Sequence, residues 1–162
     1  MEIWDAYDSN FKQIENMSLV REERIPEGVF HLVCEVIVKH ADGDYLLMKR
    51  DAKKPFGGMW EATAGGSALQ GEGPLECAKR ELREETGIVP ETLTEIGRVV
   101  SVSNHSLYVD FLCLTAGDKD GIILREGETS DYKWVSGGEL RNMTEKELVT
   151  KRIQKFIQEL HR

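Results

Sequence analysis

Three glutamates crowd one predicted helix, where their spacing suits a metal ion. Glu81, Glu84 and Glu85 stand at positions i, i+3 and i+4. The helix is expected to begin near Pro74, which suits a first turn, and to end before Gly87, which suits the position after the last turn. These spacings place the three carboxylates on one face, where like charges repel each other. A hard divalent cation prefers oxygen ligands, so the pattern predicts a Mg²⁺ or Mn²⁺ site on this face.

An apolar stripe on the same helix indicates how the carboxylates are positioned. Leu75, Ala78 and Leu82 share one side and are expected to pack on a sheet. At about 100° of rotation per residue, Glu81 and Glu85 lie beside this stripe. The carboxylates are therefore expected at the seam between helix and sheet, where a cleft can shield a metal from bulk water.

The segment from Gly66 to Ile88 resembles the Nudix box, G-x5-E-x7-R-E-U-x-E-E-x-G-U, where U is a bulky aliphatic residue. Every fixed position is met: Gly66, Glu72, Arg80, Glu81, Leu82, Glu84, Glu85, Gly87 and Ile88. The resemblance implies a Nudix fold of the α/β (α+β) class, with a mixed β-sheet sandwiched between α-helices. It also implies a Mg²⁺- or Mn²⁺-dependent hydrolase that acts on diphosphate bonds. The alternative, an acidic and solvated helix, needs neither Arg80 beside Glu81 nor glycines at both ends.

The family resemblance also suggests roles within the box. The metal ligands would be Glu81, Glu84, Glu85 and the backbone carbonyl of Gly65, which precedes the box. Glu81 would act as a ligand or as the general base. Arg80 would orient one of the box glutamates, either Glu72 or Glu81.

A glutamate from a later loop often completes the catalytic set in Nudix enzymes. Glu126 and Glu128 precede the predicted strand that carries Trp134. Glu128 is favoured over Glu126 for this catalytic role. The alternative is a solvated acidic loop.

Polar residues before the box are candidates for substrate contacts. Alternation along the predicted strand 30–39 places His31 and Glu35 on one face. Buried charge there is costly unless it lines a pocket or is paired, so both are substrate-binding candidates; an edge strand with a solvated face is the alternative. Arg50 and Lys54, in a basic segment, could hold a substrate phosphate or belong to a mobile surface loop.

Residues 1–90 resemble, more loosely, the Nudix subgroup related to type I isopentenyl-diphosphate isomerase. That subgroup has a catalytic Cys just before the box glycine and a metal-binding His just after it, where this chain has Gly65 and Ser67. A further ligand His is replaced by Arg24. We therefore expect a pyrophosphohydrolase that cleaves a nucleoside diphosphate derivative or a similar organic diphosphate. The alternatives are an isomerase-like enzyme and a non-catalytic Nudix-fold domain that binds a ligand.

Composition predicts one domain over residues 1–162 and limits its partners. The net charge of −8 disfavours binding to nucleic acid polymers. No apolar run has membrane-span length and no signal-peptide pattern opens the chain, so a cytoplasmic location is expected. Three widely spaced cysteines suggest neither a disulfide framework nor a zinc site. The expected partner is a small-molecule diphosphate, and a homodimer is possible by family analogy.

Alternation and turn signals predict the order of the elements. Strands are expected at 3–7, 30–39, 45–50, 61–64, 93–103, 107–116 and 132–135. Strands 30–39 and 45–50 are expected to form a hairpin, and residues 15–29 to be irregular. An amphipathic helix is expected over 145–160.

Overall fold

The computed structural model describes residues 1–160, so the last two residues of the predicted domain lie outside it. Nine strands and three helices occur in the described part of the chain. They are β1 (Ile3–Tyr7), β2 (Gln13–Val20), β3 (His31–His40), β4 (Tyr45–Arg50), β5 (Trp60–Ala62), β6 (Ala64–Ser67), α1 (Pro74–Thr86), β7 (Leu93–Ser101), β8 (Ser106–Thr115), β9 (Thr129–Val135), α2 (Gly137–Asn142) and α3 (Lys151–Leu160).

A seven-stranded mixed sheet forms the centre of the molecule. Its order is β5-β4-β3-β8-β7, with β6 paired to β3 and β9 paired to β4. Strands β3 and β8 run parallel along their whole length, and the other pairs are antiparallel. The mixed sheet predicted from the sequence is confirmed.

Helices cover both faces of this sheet. Alternate residues of β3, among them Cys34 and Val36, pack beneath Ala78 and Leu82 of α1. The opposite face carries Ile37, which packs with the apolar side chains of α2 and α3. This arrangement confirms the predicted sandwich, because the two faces of one central strand each bury their side chains against a helix layer.

The predicted irregular segment 15–29 is wrong in its first part. Residues 13–20 form β2, which pairs with β1 in a separate two-stranded sheet. Most side chains of β2 are exposed, so the strand lacks the apolar alternation that would reveal it. A small core of Trp4, Ala6, Leu19 and Val29 supports the hairpin.

The predicted β3–β4 hairpin is short. The two strands pair at Val38–Leu46 and Lys39–Tyr45, and β6 then takes over as the neighbour of β3. Thr63 separates β5 from β6 because its hydroxyl accepts from Val38 N at 2.9 Å and donates to Leu46 O at 2.8 Å. The predicted strand 61–64 is therefore two strands that bind different partners.

The C-terminal part differs from the predicted helix over 145–160. Helix α3 begins at Lys151, and a separate short helix, α2, precedes it. Ser136 caps α2 by accepting from Glu139 N at 3.1 Å, a capping box that the periodicity argument overlooked. None of the described helices is both long and apolar enough to span a membrane.

Candidate active site

Helix α1 has the ends that the sequence predicts. Pro74 occupies its first turn, and Gly87 ends it in the left-handed conformation with φ +80°. Cys77, Ala78 and Leu82 are fully buried and set the rotation of the helix. Leu75, predicted in the apolar stripe, is instead 43% exposed, and Cys77 packs in the core.

This rotation turns two acidic side chains towards the sheet. Glu81 and Glu85 are only 8% and 5% exposed, whereas Glu84 is exposed. Gly66 of β6 lies directly against Glu81, since a Cβ atom on Gly66 would be 2.4 Å from Glu81 Oε1. The first glycine of the box therefore leaves the space that the carboxylate fills.

Arg80 ties the acidic residues together. Its guanidinium donates to both oxygens of Glu72 at 2.7 and 2.9 Å, and to Glu81 Oε1 at 2.9 Å. It also reaches Glu84 Oε2 at 3.2 Å and the carbonyl oxygen of Ser67 at 3.1 Å. The sequence left Glu72 and Glu81 as alternative partners, and the structure shows that Arg80 holds both.

Burial makes the ionised forms of Glu81 and Glu85 unfavourable. Desolvation raises the pKa of Glu81, and desolvation together with the nearby Glu61 and Glu81 raises the pKa of Glu85 to about 9. Glu61 of β5 is itself a partly buried carboxylate that accepts from Arg50 Nη1 at 2.7 Å. Its proximity to Glu85 depends on tertiary structure, and no sequence pattern singled it out.

The donor chemistry of this cluster fits a hard cation, although the side chains do not converge on one. Among residues 1–160, no three His, Cys, Asp or Glu side chains form a ready metal-ligand group. Glu84 Oε2 is held by Arg80 and by Arg125, the latter at 3.1 Å. Because exposed ion pairs are weak, the Glu84 side chain can break its ion pairs with Arg80 and Arg125 and turn towards Glu81 and Glu85.

The acidic residues line a cleft of about 280 Å³ that brings most of the predicted site together. Its walls include Lys54, Gly65, Gly66, Arg80, Glu81, Glu84, Glu85 and Glu128. Glu128 forms an ion pair with Lys54. Glu126, the less favoured loop glutamate, is exposed and is not among the residues that line this cleft.

A second cavity of about 210 Å³ adjoins the first and contains Glu35 and Arg50. The two cavities share Val33, Gly65 and Gly66. Tyr108 forms another part of the wall of the second cavity. Of the predicted substrate-binding residues, Glu35 and Arg50 thus lie next to the acidic cleft.

Glu35 is held by a network that reaches helix α3. Its Oε2 atom lies 2.8 Å from Arg152 Nη2, and Arg152 also binds the carboxylate of Asp110 at 3.1 and 3.2 Å. The Arg152 guanidinium covers the ring of Tyr108 at 4.0 Å. Desolvation raises the pKa of Glu35 to about 7 even though Arg152 opposes the shift.

His31 is not among the residues lining these two cavities, and its role in substrate binding stays a prediction. The ring of Trp4 stacks on it at 4.1 Å, and Ser106 Oγ lies 2.9 Å from its Nε2 atom. Strand β1 covers this end of β3, a contact that strand alternation could not reveal. Burial lowers the pKa of His31 to about 4, and Arg21 adds to the effect.

Sequence reasoning also missed three charged residues of the cleft wall. Glu2 and Arg21 come from the open end of the β1–β2 hairpin, and Arg125 comes from the loop before β9. None of them lies in a recognisable motif, because each reaches the cleft through tertiary structure.

Residues 29–160 match the NUDIX domain family, and the chain belongs to this family. Members act on diphosphate bonds, which makes this protein a hydrolase of that class. Nudix hydrolases generally use divalent metal cations. It is 30% identical over 142 residues to an uncharacterised Nudix hydrolase of Listeria monocytogenes, covering 86% of this chain and 83% of the relative. It is also 35% identical over 123 residues to the nucleoside triphosphatase NudI of Salmonella newport, covering 67% and 83% of the two chains.

A solved structure and a more distant relative support the fold and the subgroup. The crystal structure of DR0079 from Deinococcus radiodurans has a TM-score of 0.78 at 15% identity and covers 99% of this chain and 100% of its own. An isopentenyl-diphosphate Delta-isomerase of Halorhodospira halophila is 43% identical over 63 residues, which cover 38% of this chain and 36% of the relative. The predicted Nudix fold and the isomerase-like resemblance are confirmed.

Proposed function

We propose that this protein is a divalent-metal-dependent pyrophosphohydrolase that cleaves a diphosphate linkage in a nucleoside phosphate. The observation that carries the proposal is the meeting of buried Glu81 and Glu85 with Lys54 and Glu128 in one cleft. Burying two carboxylates of like charge is unfavourable in the absence of a counter-ion. Divalent cations bound together with the substrate would reduce this cost.

Glu81, Glu84, Glu85 and the carbonyl of Gly65 are the proposed ligands of Mg²⁺ or Mn²⁺. When bound, the cation neutralises charge on the diphosphate oxygens and lowers the pKa of a water molecule. Arg80 keeps Glu81 in place through its hydrogen bond at 2.9 Å. The support for this ligand set is the oxygen-rich lining of the cleft and the family's general use of divalent cations.

Lys54 and Glu128 are proposed to act on the substrate and on the attacking water. Their ion pair places a positive and a negative group together in the cleft wall. A phosphate oxygen can replace Glu128 as the partner of Lys54, which frees the carboxylate to accept a proton from water. Glu81 is the alternative general base, since its buried carboxylate lines the same cleft and desolvation raises its pKa.

The second cavity is proposed to receive the nucleoside end of the substrate. It combines the aromatic ring of Tyr108 with the carboxylate of Glu35, which can accept hydrogen bonds from base N–H groups. It adjoins the acidic cleft at Gly65 and Gly66, so one ligand can occupy both cavities. The similarity to a nucleoside triphosphatase favours nucleoside phosphates over other organic diphosphates.

Gly65 argues against isomerase chemistry. A Cβ atom at this position would lie 2.9 Å from Glu35 Cγ and 3.0 Å from the carbonyl oxygen of Cys34. A cysteine here would therefore require the Glu35 side chain to move and the carbonyl group of Cys34 to shift slightly.

The proposed function is tested by product analysis with a substrate panel. The purified protein with Mg²⁺ is incubated with nucleoside diphosphates, nucleoside triphosphates and isopentenyl diphosphate, and the products are separated by anion-exchange chromatography. We expect a nucleoside phosphate shortened at a diphosphate bond, with free phosphate or pyrophosphate. Dimethylallyl diphosphate as the product would establish the isomerase instead, and the absence of any product would reject cleavage of these substrates.

The cytoplasmic location, the homodimer, the single domain over residues 1–162 and the lack of binding to nucleic acid polymers stay predictions.

A further inference from the structure

The β1–β2 hairpin precedes the family match at residue 29, yet its open end forms part of the acidic cleft. The register pairs Ile3 with Val20, which brings Glu2 beside Arg21. Arg21 N donates to the carbonyl oxygen of Glu2 at 3.0 Å. Both side chains line the same cleft as the glutamates of α1.

A series of contacts anchors this end of the hairpin to the sheet. Glu2 Oε2 accepts from Trp4 Nε1 at 2.8 Å and from Arg21 Nη1 at 3.1 Å. The ring of Trp4 stacks on His31, which also lies 3.4 Å from the hydroxyl of Ser67. Because Ser67 is itself a residue of the cleft, these contacts hold the backbone that carries Arg21 at the cleft wall.

Arg21 differs from the other cations of the cleft in its partners. Arg80 and Arg125 bind glutamates of α1, and Lys54 binds Glu128. Within residues 1–160, the side-chain ion pair of Arg21 is with Glu2, and the Arg21 side chain is 57% exposed. Arg21 can therefore exchange its partner for a ligand without disturbing the carboxylates of α1.

We propose that Arg21 binds a phosphate oxygen of the substrate, which makes the N-terminal hairpin part of the substrate site. The planar guanidinium can donate two parallel hydrogen bonds to a phosphate, and the exposed ion pair with Glu2 is weak enough to be replaced. This inference rests on the proposed function, because it assumes that the substrate contains a diphosphate group. It assigns a specificity residue outside the part of the chain that matches the family.

The binding test uses imidodiphosphate, a hydrolysis-resistant analogue of pyrophosphate, in the presence of Mg²⁺. Calorimetry measures its affinity for the full chain and its variants. We expect Arg21→Ala to weaken binding by about tenfold, as for the loss of one charged hydrogen-bond contact. Arg21→Lys should restore part of the affinity. Lys12→Ala removes a positive charge at the opposite end of the same hairpin and should leave the affinity unchanged.

A Glu2→Gln variant separates phosphate binding from a purely structural role. Glutamine keeps an oxygen that can accept from Trp4 Nε1, but it releases Arg21 from its ion pair. If Arg21 binds phosphate, Glu2→Gln keeps or tightens the affinity for imidodiphosphate. If Arg21 only stabilises the hairpin through Glu2, both Glu2→Gln and Arg21→Ala weaken binding alike, and the inference is overturned.

Turnover measured on the same proteins distinguishes failure of this inference from failure of the proposed function. Equal affinity of Arg21→Ala and wild type, with wild-type turnover present, overturns the role of Arg21 alone. Arg21-dependent binding in a wild-type protein that hydrolyses no nucleotide supports the role of Arg21 and rejects the proposed nucleoside phosphate substrate. A wild type that does not bind imidodiphosphate overturns the inference.

Discussion

Gly66 and Glu81 are matched across the interface between β6 and α1. A Cβ atom on Gly66 would approach Glu81 Oε1 to 2.4 Å, closer than real contacts allow. Arg80 also donates to the same carboxylate oxygen at 2.9 Å. The position of one catalytic candidate is therefore set by a glycine and an arginine of the same motif.

Replacing Gly66 by Ala tests this relationship. We expect the added methyl group to displace Glu81 and to lower kcat by ~10-fold or more, because small displacements of reacting groups are costly. Stability should change little, since the group that must move is the end of a flexible side chain. Gly97→Ala is the control, because a Cβ atom at this strand glycine meets nothing within 4 Å. Wild-type kcat in Gly66→Ala would show that the position of Glu81 does not matter.

Replacing Glu84 or Glu85 by Gln should separate activity from folding. Either variant is expected to lose most turnover, because a proposed metal ligand loses its charge. Stability without metal should change little, since the pKa of Glu85, raised to about 9, already keeps it protonated near neutral pH, and the ion pairs of the exposed Glu84 are weak. The rate is measured with Mg²⁺ and the Tm in excess chelator. A large fall in Tm would mean that these carboxylates are structural.

The loop glutamates make a matched pair. Glu128 lines the cleft and Glu126 is exposed two residues earlier. We predict that Glu128→Gln lowers kcat by ~10-fold or more with a much smaller change in KM, and that Glu126→Gln is milder. Steady-state kinetics at saturating Mg²⁺ provides the measurement. Near-wild-type kcat in both variants would assign the base to the helix, with Glu81 the next candidate.

The buried His31 predicts a pH dependence of stability. Its pKa is lowered to about 4 in the folded protein, against 6.5 for an ordinary histidine. Between pH 6.5 and about pH 4, His31 is therefore protonated in the unfolded chain but neutral in the folded protein. Since the unfolded state binds more protons, the stability of the wild type falls as the pH drops through this range.

His31→Phe keeps an aromatic ring against Trp4 and removes this titration. At pH 7 we expect it to be less stable by about 1 kcal/mol, through the lost hydrogen bond to Ser106. The difference from wild type should shrink as the pH falls and reverse before pH 4, because a pKa shift from 6.5 to about 4 corresponds to roughly 3 kcal/mol. Denaturant unfolding at several pH values measures it, and a constant difference would contradict the assigned pKa.

Local patterns account for the parts of the site that the sequence predicted. The i, i+3 and i+4 spacing of the α1 glutamates and the end signals at Pro74 and Gly87 are properties of one helix. Thr63 shows where such patterns fail, because its hydroxyl bridges β3 and β4 and divides one apparent strand into two.

Contacts between distant segments explain what the sequence could not predict. Strand alternation did not reveal that Trp4, from a hairpin that was only half predicted, stacks on His31. Arg21 and Glu61 reach the site through pairing of β1 with β2 and of β4 with β5. Such residues carry no local signal, since their roles depend on which strands become neighbours.

The most direct test of the central claim is the metal dependence of diphosphate hydrolysis. Nucleotide turnover is measured on metal-free protein, after addition of Mg²⁺ or Mn²⁺, and again with excess chelator, with Glu85→Gln alongside. The proposed site predicts turnover only when a divalent cation is present, and little turnover by Glu85→Gln under any condition. Full turnover in excess chelator, or a fully active Glu85→Gln, would contradict it.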